Sequence, residues 1–166
     1  MNSNLALLGG SKTLSHELKR YNTIGQEETD AALEVLNSGV LSEFLGTWSD
    51  NFFGGRKVQQ FERDCAEYFG VKHAITVNSW TSGLVAAVGA IDIQPGDEVI
   101  VSTWTMCASA TAIMHWNAIP VFADIEMETF CLDPKSVEAN ITEHTKAIMS
   151  IDIGGHSADM DQLIQR

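Results

Sequence analysis

The sequence predicts an α/β fold in which a mostly parallel sheet is covered by helices. Apolar segments alternate with segments of helical periodicity along the chain. The apolar segments, such as residues 98–101 and 119–123, do not alternate polar with apolar side chains, which is typical of strands buried on both faces. A strong turn signal at residues 94–97 separates a helical segment from a strand. In such sheets, ligands bind at the carboxyl ends of the strands.

Two regions of the chain differ in pattern. Residues 1–55 combine a short extended arm at 5–8, a helix at 26–36 and an aromatic loop at 41–55. That loop is expected either to bind a ligand or to pack its rings on a neighbour or partner subunit. Residues 56–166 form the α/β region. Its predicted strands are 74–77, 98–101, 119–123 and 146–151. Its predicted helices are 58–69, one with 81–83 in its first turn that continues to 91, 106–116, 134–141 and one beginning at 158.

Composition limits the classes of partner. The chain has 166 residues and a net charge of −12, which argues against nucleic acid or an anionic membrane as its main partner. Cys65, Cys107 and Cys131 are odd in number and widely spaced, which indicates free thiols in a reducing compartment. No basic segment precedes an apolar run at the N-terminus, and the longest apolar stretch is too short to cross a bilayer. We therefore expect a cytoplasmic protein.

The segment around which the chain is organised is residues 74–84. A β-rich run leads into a small polar turn, and a helix follows whose first turn carries Thr81, Ser82 and Gly83. The first amides of a helix have no partner within it and lie at the positive end of its dipole, so they can bind a phosphate or carboxylate. The alternative is that Ser79 or Thr81 only caps the helix.

Several other signatures are absent from the sequence. We find no glycine-rich dinucleotide fingerprint, no nucleoside triphosphate loop, no zinc-protease motif and no serine-hydrolase motif. His156 with Asp152, Asp159 and Asp161 could be drawn as a metal site. Asp159 and Asp161 are better explained as charges at the start of the last helix, so we predict no metal.

Eight segments, in order and spread over nearly the whole chain, carry a family resemblance. They are LALLGG (5–10), GGRKVQQFE (54–62), VNSWTSGL (77–84), PGDEVIV (95–101), AIPVFADI (118–125), LDP (132–134), TKAI (145–148) and GHSADMD (155–161). Together they resemble the large domain of the DegT/DnrJ/EryC1/StrS aminotransferases, enzymes of fold type I that use pyridoxal 5′-phosphate (PLP) on nucleotide-linked sugars, cyclitols and related ketones.

The resemblance implies roles for five residues around the cofactor. Trp80 and Thr81 match the positions that hold the PLP phosphate through backbone amides and a hydroxyl. Met106 matches the aromatic that stacks on the pyridine ring, while this chain carries its aromatic two residues earlier, at Trp104. Alternation along an extended chain keeps Trp104 and Met106 on one side, so either could face the ring, unless Trp104 is ordinary core. Asp152 stands where the family often has histidine. We expect Asp152 to be either a polar substrate contact or a helix or turn cap.

Two further departures bear on activity. The family usually has Gly or Ala at position 80, so the Trp80 side chain must point away from the phosphate or alter the pocket. The Schiff-base lysine and the aspartate that pairs with the pyridine nitrogen match positions beyond Arg166, and Lys57, Lys72 and Lys146 do not match either context. No catalytic residue is therefore assigned. We expect a truncated N-terminal part of the large domain, inactive alone, from an enzyme that moves an amino group from an amino acid to a keto-sugar or similar ketone.

Other interpretations remain open at this stage. The chain could be a non-catalytic binding or assembly protein that keeps the phosphate site, or an unrelated α/β domain that binds an anion at the same helix start. The resemblance implies a homodimer, or association with a C-terminal portion, because residues of both subunits surround each cofactor in the family. The small-molecule partners it implies are a keto-sugar and an amino-acid donor.

Overall fold

The computed structural model describes residues 5–17, 19–44, 46–49 and 52–164. The chain forms two compact units, Met1–Ala74 and Ile75–Arg166. None of the helices in the described ranges is long and apolar enough to cross a membrane.

Two helices form the first unit, α1 (Gln26–Ser38) and α2 (Arg56–Phe69). At the start of α1 the Glu28 carboxylate accepts a hydrogen bond of 2.7 Å from the Gly25 N–H. Both helices end in a glycine with left-handed backbone, Gly39 (φ 71°) and Gly70 (φ 63°). The predicted extended arm at 5–8 is wrong, because Ala6–Leu8 close a 3₁₀ turn whose hydrogen bonds are local.

A parallel sheet organises the second unit. Its strands β1 (Glu98–Ser102), β2 (Ile119–Ala123) and β3 (Thr145–Met149) lie in the order β2-β1-β3, with Ser102 opposite Ala123 and Val101 opposite Met149. This confirms the α/β architecture with parallel strands. The elements in chain order are α3 (Trp80–Ala90), β1 (Glu98–Ser102), α4 (Cys107–Met114), β2 (Ile119–Ala123), α5 (Pro134–Asn140), β3 (Thr145–Met149) and α6 (Met160–Ile164).

The central strand β1 is buried on both of its faces. Ile100 packs into a cluster that includes Val137 of α5 and Leu163 of α6. Val99 and Val101 point the other way and pack with a second cluster on α3 and α4. This two-sided burial explains why the strand is apolar throughout rather than alternating.

The predicted strand at residues 74–77 is wrong. The structure assigns residues 73–77 to no strand, and Ile75 is 83% exposed. A strand needs a neighbour to complete its ladder, and within the described residues the sheet contains only β1, β2 and β3. The β-rich composition of the segment therefore does not produce a strand.

Candidate functional site

The candidate site lies at the carboxyl edge of the sheet. Because the three strands are parallel, their carboxyl ends at Ser102, Ala123 and Met149 share one edge. Trp104 and Met106 follow the end of β1, and Asp152 follows the end of β3. The fold therefore brings these three predicted site residues to the edge where ligands bind in α/β sheets.

Helix α3 directs its N-terminus to the same edge. Its exit loop is hydrogen-bonded to the loop after α4, from the Gly96 N–H to the Asn117 carbonyl at 3.0 Å. Helix α4 starts after the carboxyl end of β1 and ends just before β2 begins. The C-terminal ends of both helices therefore lie at the amino edge of the sheet, and the start of α3 faces the carboxyl edge.

The first turn of α3 is both capped and open. The Ser79 Oγ accepts a hydrogen bond from the Ser82 N–H at 3.3 Å, and the Ser79 carbonyl accepts one from the Gly83 N–H at 3.1 Å. The Ser82 hydroxyl donates to the Asn78 Oδ1 at 2.6 Å. Within the described residues, no acceptor is assigned to the N–H groups of Trp80 and Thr81. The serine cap is therefore observed, and it leaves the first two amides of the helix without an assigned acceptor among the described residues.

The Trp80 side chain lies along the flank of α3. A β-carbon built on Gly83 would come 2.6 Å from Cε3 of the indole, so the ring rests where Gly83 has no side chain. Gly83 lies about one turn after Trp80 in the direction of the C-terminus, whereas the amides of Trp80 and Thr81 point toward the N-terminus of the helix. The bulky ring therefore leaves the open end of the helix uncovered.

Trp104 is 56% exposed, so the alternative that it is ordinary core does not hold. Its indole contacts the ring of Phe130, with ring centroids 5.8 Å apart. The Ser102 Oγ accepts a hydrogen bond of 3.0 Å from the Trp104 N–H, which holds the strand exit in place. Met106 is exposed beside it as the N-cap of α4. Either side chain is accessible to a planar ligand.

Phe130 is a neighbour of the site that the sequence analysis missed. It has a left-handed backbone (φ 61°) and lies in a loop closed by an antiparallel bridge between Ile125 and Leu132. The only sequence signal was a short polar turn between two apolar residues. That signal identifies a loop but not the tryptophan it contacts.

Asp152 makes a hydrogen bond across the loop after β3. Its Oδ1 accepts a hydrogen bond from the Ala158 N–H at 3.1 Å. This bond gives the side chain a structural contact, and the carboxylate is exposed at the same edge. Nearby, the Ser150 hydroxyl is buried and has no hydrogen-bond partner among the described residues.

Asp159 behaves as a helix cap. Its carboxylate accepts hydrogen bonds from the backbone N–H and the side-chain amide of Gln162, at 3.0 and 2.6 Å. These bonds, the backbone one first, lower the pKa of Asp159. Across the part of the chain that the structure describes, no group of three His, Cys, Asp or Glu side chains is arranged to hold a metal ion.

Within the described residues, these features define an α/β domain that presents two amides without an assigned partner and, at the same edge of the sheet, exposed aromatic and thioether side chains. Comparison with known proteins identifies its lineage. Residues 22–165 match the model of the DegT/DnrJ/EryC1/StrS aminotransferase family. The chain belongs to that family.

Individual relatives agree with the family model. The spore coat polysaccharide biosynthesis protein SpsC of Bacillus subtilis is 45% identical over 141 residues, covering 85% of this chain and 33% of the relative. The crystal structure of 3-amino-5-hydroxybenzoic acid (AHBA) synthase has a TM-score of 0.80 at 32% identity, covering 90% of this chain and 36% of that one. The PLP form of the sugar aminotransferase Spr1654 of Streptococcus pneumoniae, named as putative, has a TM-score of 0.76 at 32% identity, covering 86% and 33%. The chain thus spans about a third of the length of the relatives it matches.

Proposed function

We propose that this chain is the phosphate-binding part of a PLP-dependent aminotransferase that acts on a nucleotide-linked keto-sugar or a related ketone. The observation that carries the proposal is the open start of α3, where the amides of Trp80 and Thr81 and the exposed Thr81 hydroxyl have no partner among the described residues. Relatives named for polysaccharide biosynthesis and for sugar amino transfer support the substrate class.

The residues present fit the cofactor. Its phosphate carries negative charge, which the first amides and the dipole of an 11-residue helix stabilise. Its pyridine ring is flat and apolar on both faces, and Trp104 and Met106 are exposed at the neighbouring strand exit. When bound, PLP acts as an electron sink for the transfer of an amino group.

Each side chain has a defined task in this proposal. Thr81 donates to the phosphate, while Ser79 and Asn78 hold the turn so that the free amides stay aligned. Trp104 covers a face of the ring, held by its hydrogen bonds to Ser102. Asp152 adds negative charge near the substrate and keeps the loop after β3 closed.

We propose that amino transfer requires a Schiff-base lysine and an aspartate for the pyridine nitrogen, that none of Lys57, Lys72 and Lys146 is that lysine, and that these 166 residues alone do not transfer amino groups. We further propose association, either as a homodimer or with a chain that carries the two groups. The exposed side chains of Ile75, Val77 and Met106 in the second unit support an apolar partner surface.

The test compares PLP with pyridoxal, which lacks the phosphate, and with inorganic phosphate. Thr81→Val is expected to weaken binding of PLP and phosphate about tenfold and to leave pyridoxal unchanged, since a hydrogen bond to a charged group is lost. Thr111→Val is the matched control, because the Thr111 hydroxyl is exposed on α4 and bonds only to the Ala108 carbonyl. Equal affinity for PLP and pyridoxal in the unmodified chain would overturn the proposal.

The non-catalytic alternative has a separate test. Mixing the chain with a polypeptide that supplies the lysine and aspartate should restore amino transfer if the enzyme proposal is right. A stable associated state that binds phosphate but never gains activity in that mixture would favour a binding or assembly role.

A further inference from the structure

One hydrogen bond joins the middle of α3 to the end of α4. The indole Nε1–H of Trp116, two residues past α4, donates to the Val85 carbonyl at 2.8 Å. Its ring lies directly on Gly89, where a built β-carbon would come 2.9 Å from Cε2 and closer still to Cζ2. The ring can approach the helix backbone only because residue 89 has no side chain.

This contact gives a reason for an unfavourable residue. Gly89 is the penultimate residue of α3, and glycine is a poorer helix former than alanine, so the contact with Trp116 offers a packing explanation for it. In the α-helical pattern the Val85 carbonyl already accepts the N–H of residue 89, and its second lone pair takes the indole. Gly89 and Trp116 therefore act as a matched pair around one carbonyl.

The pair lies close along α3 to the phosphate seat, which is the name used here for the amides of Trp80 and Thr81 together with the Thr81 hydroxyl. Val85 lies four residues after Thr81, which is about 6 Å along the helix axis. We call the contact of Trp116 with Val85 and Gly89 the clamp. Beyond it along α3, Val88 packs in the core. The loop after α3 is held by a hydrogen bond from the Gly96 N–H to the Asn117 carbonyl. Among the described hydrogen bonds that join α3 to another element, the one from Trp116 lies closest to the start of α3; the bonds of Asn78 and Ser79 are confined to the turn before the helix.

We propose that Trp116 is a positioning residue for the phosphate seat, acting through Val85 and Gly89; this rests on the function proposed above. Because α3 is a continuous 11-residue helix, we expect a shift at Val85 to displace the amides of Trp80 and Thr81 by a similar amount. Hydrogen bonds to a bound anion tolerate displacements of only about 0.5 Å. The contact of Trp116 with Val85 and Gly89 therefore determines how well the amides of Trp80 and Thr81 are placed to bind a phosphate.

The experiment uses Trp116→Phe, which removes the indole N–H and keeps an aromatic ring. Dissociation constants for PLP, pyridoxal and inorganic phosphate are measured at a temperature where circular dichroism shows both proteins folded. We expect the preference for PLP over pyridoxal to fall about three- to tenfold, with phosphate weakened equally. Exchange of the α3 amides should speed up in the same variant. Trp48→Phe makes the same change at an indole of the first unit and is the control. It should alter neither the preference for PLP over pyridoxal nor the exchange of the α3 amides.

A second variant separates positioning from stability. Gly89→Ala pushes the indole off Val85 and should reproduce the loss of phosphate preference. In the Trp116→Phe background the smaller ring leaves room, so Gly89→Ala should add little further loss. If Trp116→Phe lowers the melting temperature but leaves the PLP-to-pyridoxal ratio unchanged, the clamp is merely structural and the inference is wrong. If the unmodified chain itself shows no phosphate preference, the proposed function fails, and with it any positioning role for Trp116.

Discussion

The indole of Trp80 rests on Gly83, where a β-carbon would clash with the ring. A β-carbon on Gly83 would lie 2.6 Å from Cε3 and 2.8 Å from Cζ3 of the ring, but 3.4 Å from its next neighbour, Val77. The only serious clash is therefore with Trp80. The ring of a bulky residue at the first helical position is accommodated by the absence of a side chain three residues later.

Gly83→Ala is expected to destabilise the chain by about 1–3 kcal/mol, because the added methyl overpacks the indole. In a Trp80→Ala background the same change should instead stabilise by up to about 1 kcal/mol, since alanine is the better helix former. Urea unfolding of the four proteins in this cycle measures both effects. The same sign in both backgrounds would show that the ring does not rest on Gly83.

Ser79→Ala should cost about 1 kcal/mol, because the Ser82 N–H loses the side chain that caps it. Phosphate affinity should fall as well, since the turn that aligns the free amides loosens. Thermal unfolding and phosphate titration measure the two effects. Ser157→Ala is the control and should change neither the stability nor the phosphate affinity, because Ser157 is exposed and has no hydrogen bond assigned to it among the described residues.

The cap formed by Glu28 at the start of α1 is expected to make the free energy of unfolding depend on pH. The hydrogen bond from the Gly25 N–H, followed by that from its own backbone, lowers the pKa of the Glu28 carboxyl below its ordinary value of 4.5. A lowered folded-state pKa means that the carboxylate stabilises the fold above pH 4.5, and that this contribution disappears as the pH falls through the lowered pKa. The difference in unfolding free energy between the unmodified chain and Glu28→Gln should shrink on acidification. A difference that stays constant down to pH 2 would contradict the cap.

Asp152 is predicted to act first as a structural acceptor. Asp152→Ala removes the partner of the Ala158 N–H, so the turn before α6 should open and stability should fall by about 1 kcal/mol. Asp152→Asn keeps an oxygen acceptor and should retain most of that stability. Equal losses in both variants, measured by urea unfolding, would show that the charge matters rather than the hydrogen bond.

Much of the fold was predictable because its signals are local. Gly39 and Gly70 end helices through a backbone conformation that glycine adopts easily, and the unbroken apolar run around Ile100 reflects burial on both faces of one strand. The strand predicted at 74–77 failed because pairing depends on a neighbour that composition does not reveal. The extended arm predicted at 5–8 was wrong because the 3₁₀ turn at Ala6–Leu8 is closed by short-range hydrogen bonds that leave no distinctive sequence pattern.

The site was predictable to a lesser extent. The open start of α3 followed from the Ser79-to-Gly83 pattern, since capping depends on residues next to one another. The contact of Trp104 with Phe130 joins residues 26 apart in sequence, and that of Trp116 with Val85 joins residues 31 apart. Such contacts depend on how the elements pack, which periodicity does not specify.

The most direct test of the account maps backbone amide shifts in an ¹⁵N-labelled chain during titration with PLP and, separately, with inorganic phosphate. We predict that the amides of Trp80 and Thr81 shift most with both ligands, and that phosphate competes with PLP at those two residues. Largest shifts at any other helix start, or PLP shifts that phosphate does not reproduce at Trp80 and Thr81, would contradict the assignment of the phosphate seat to α3.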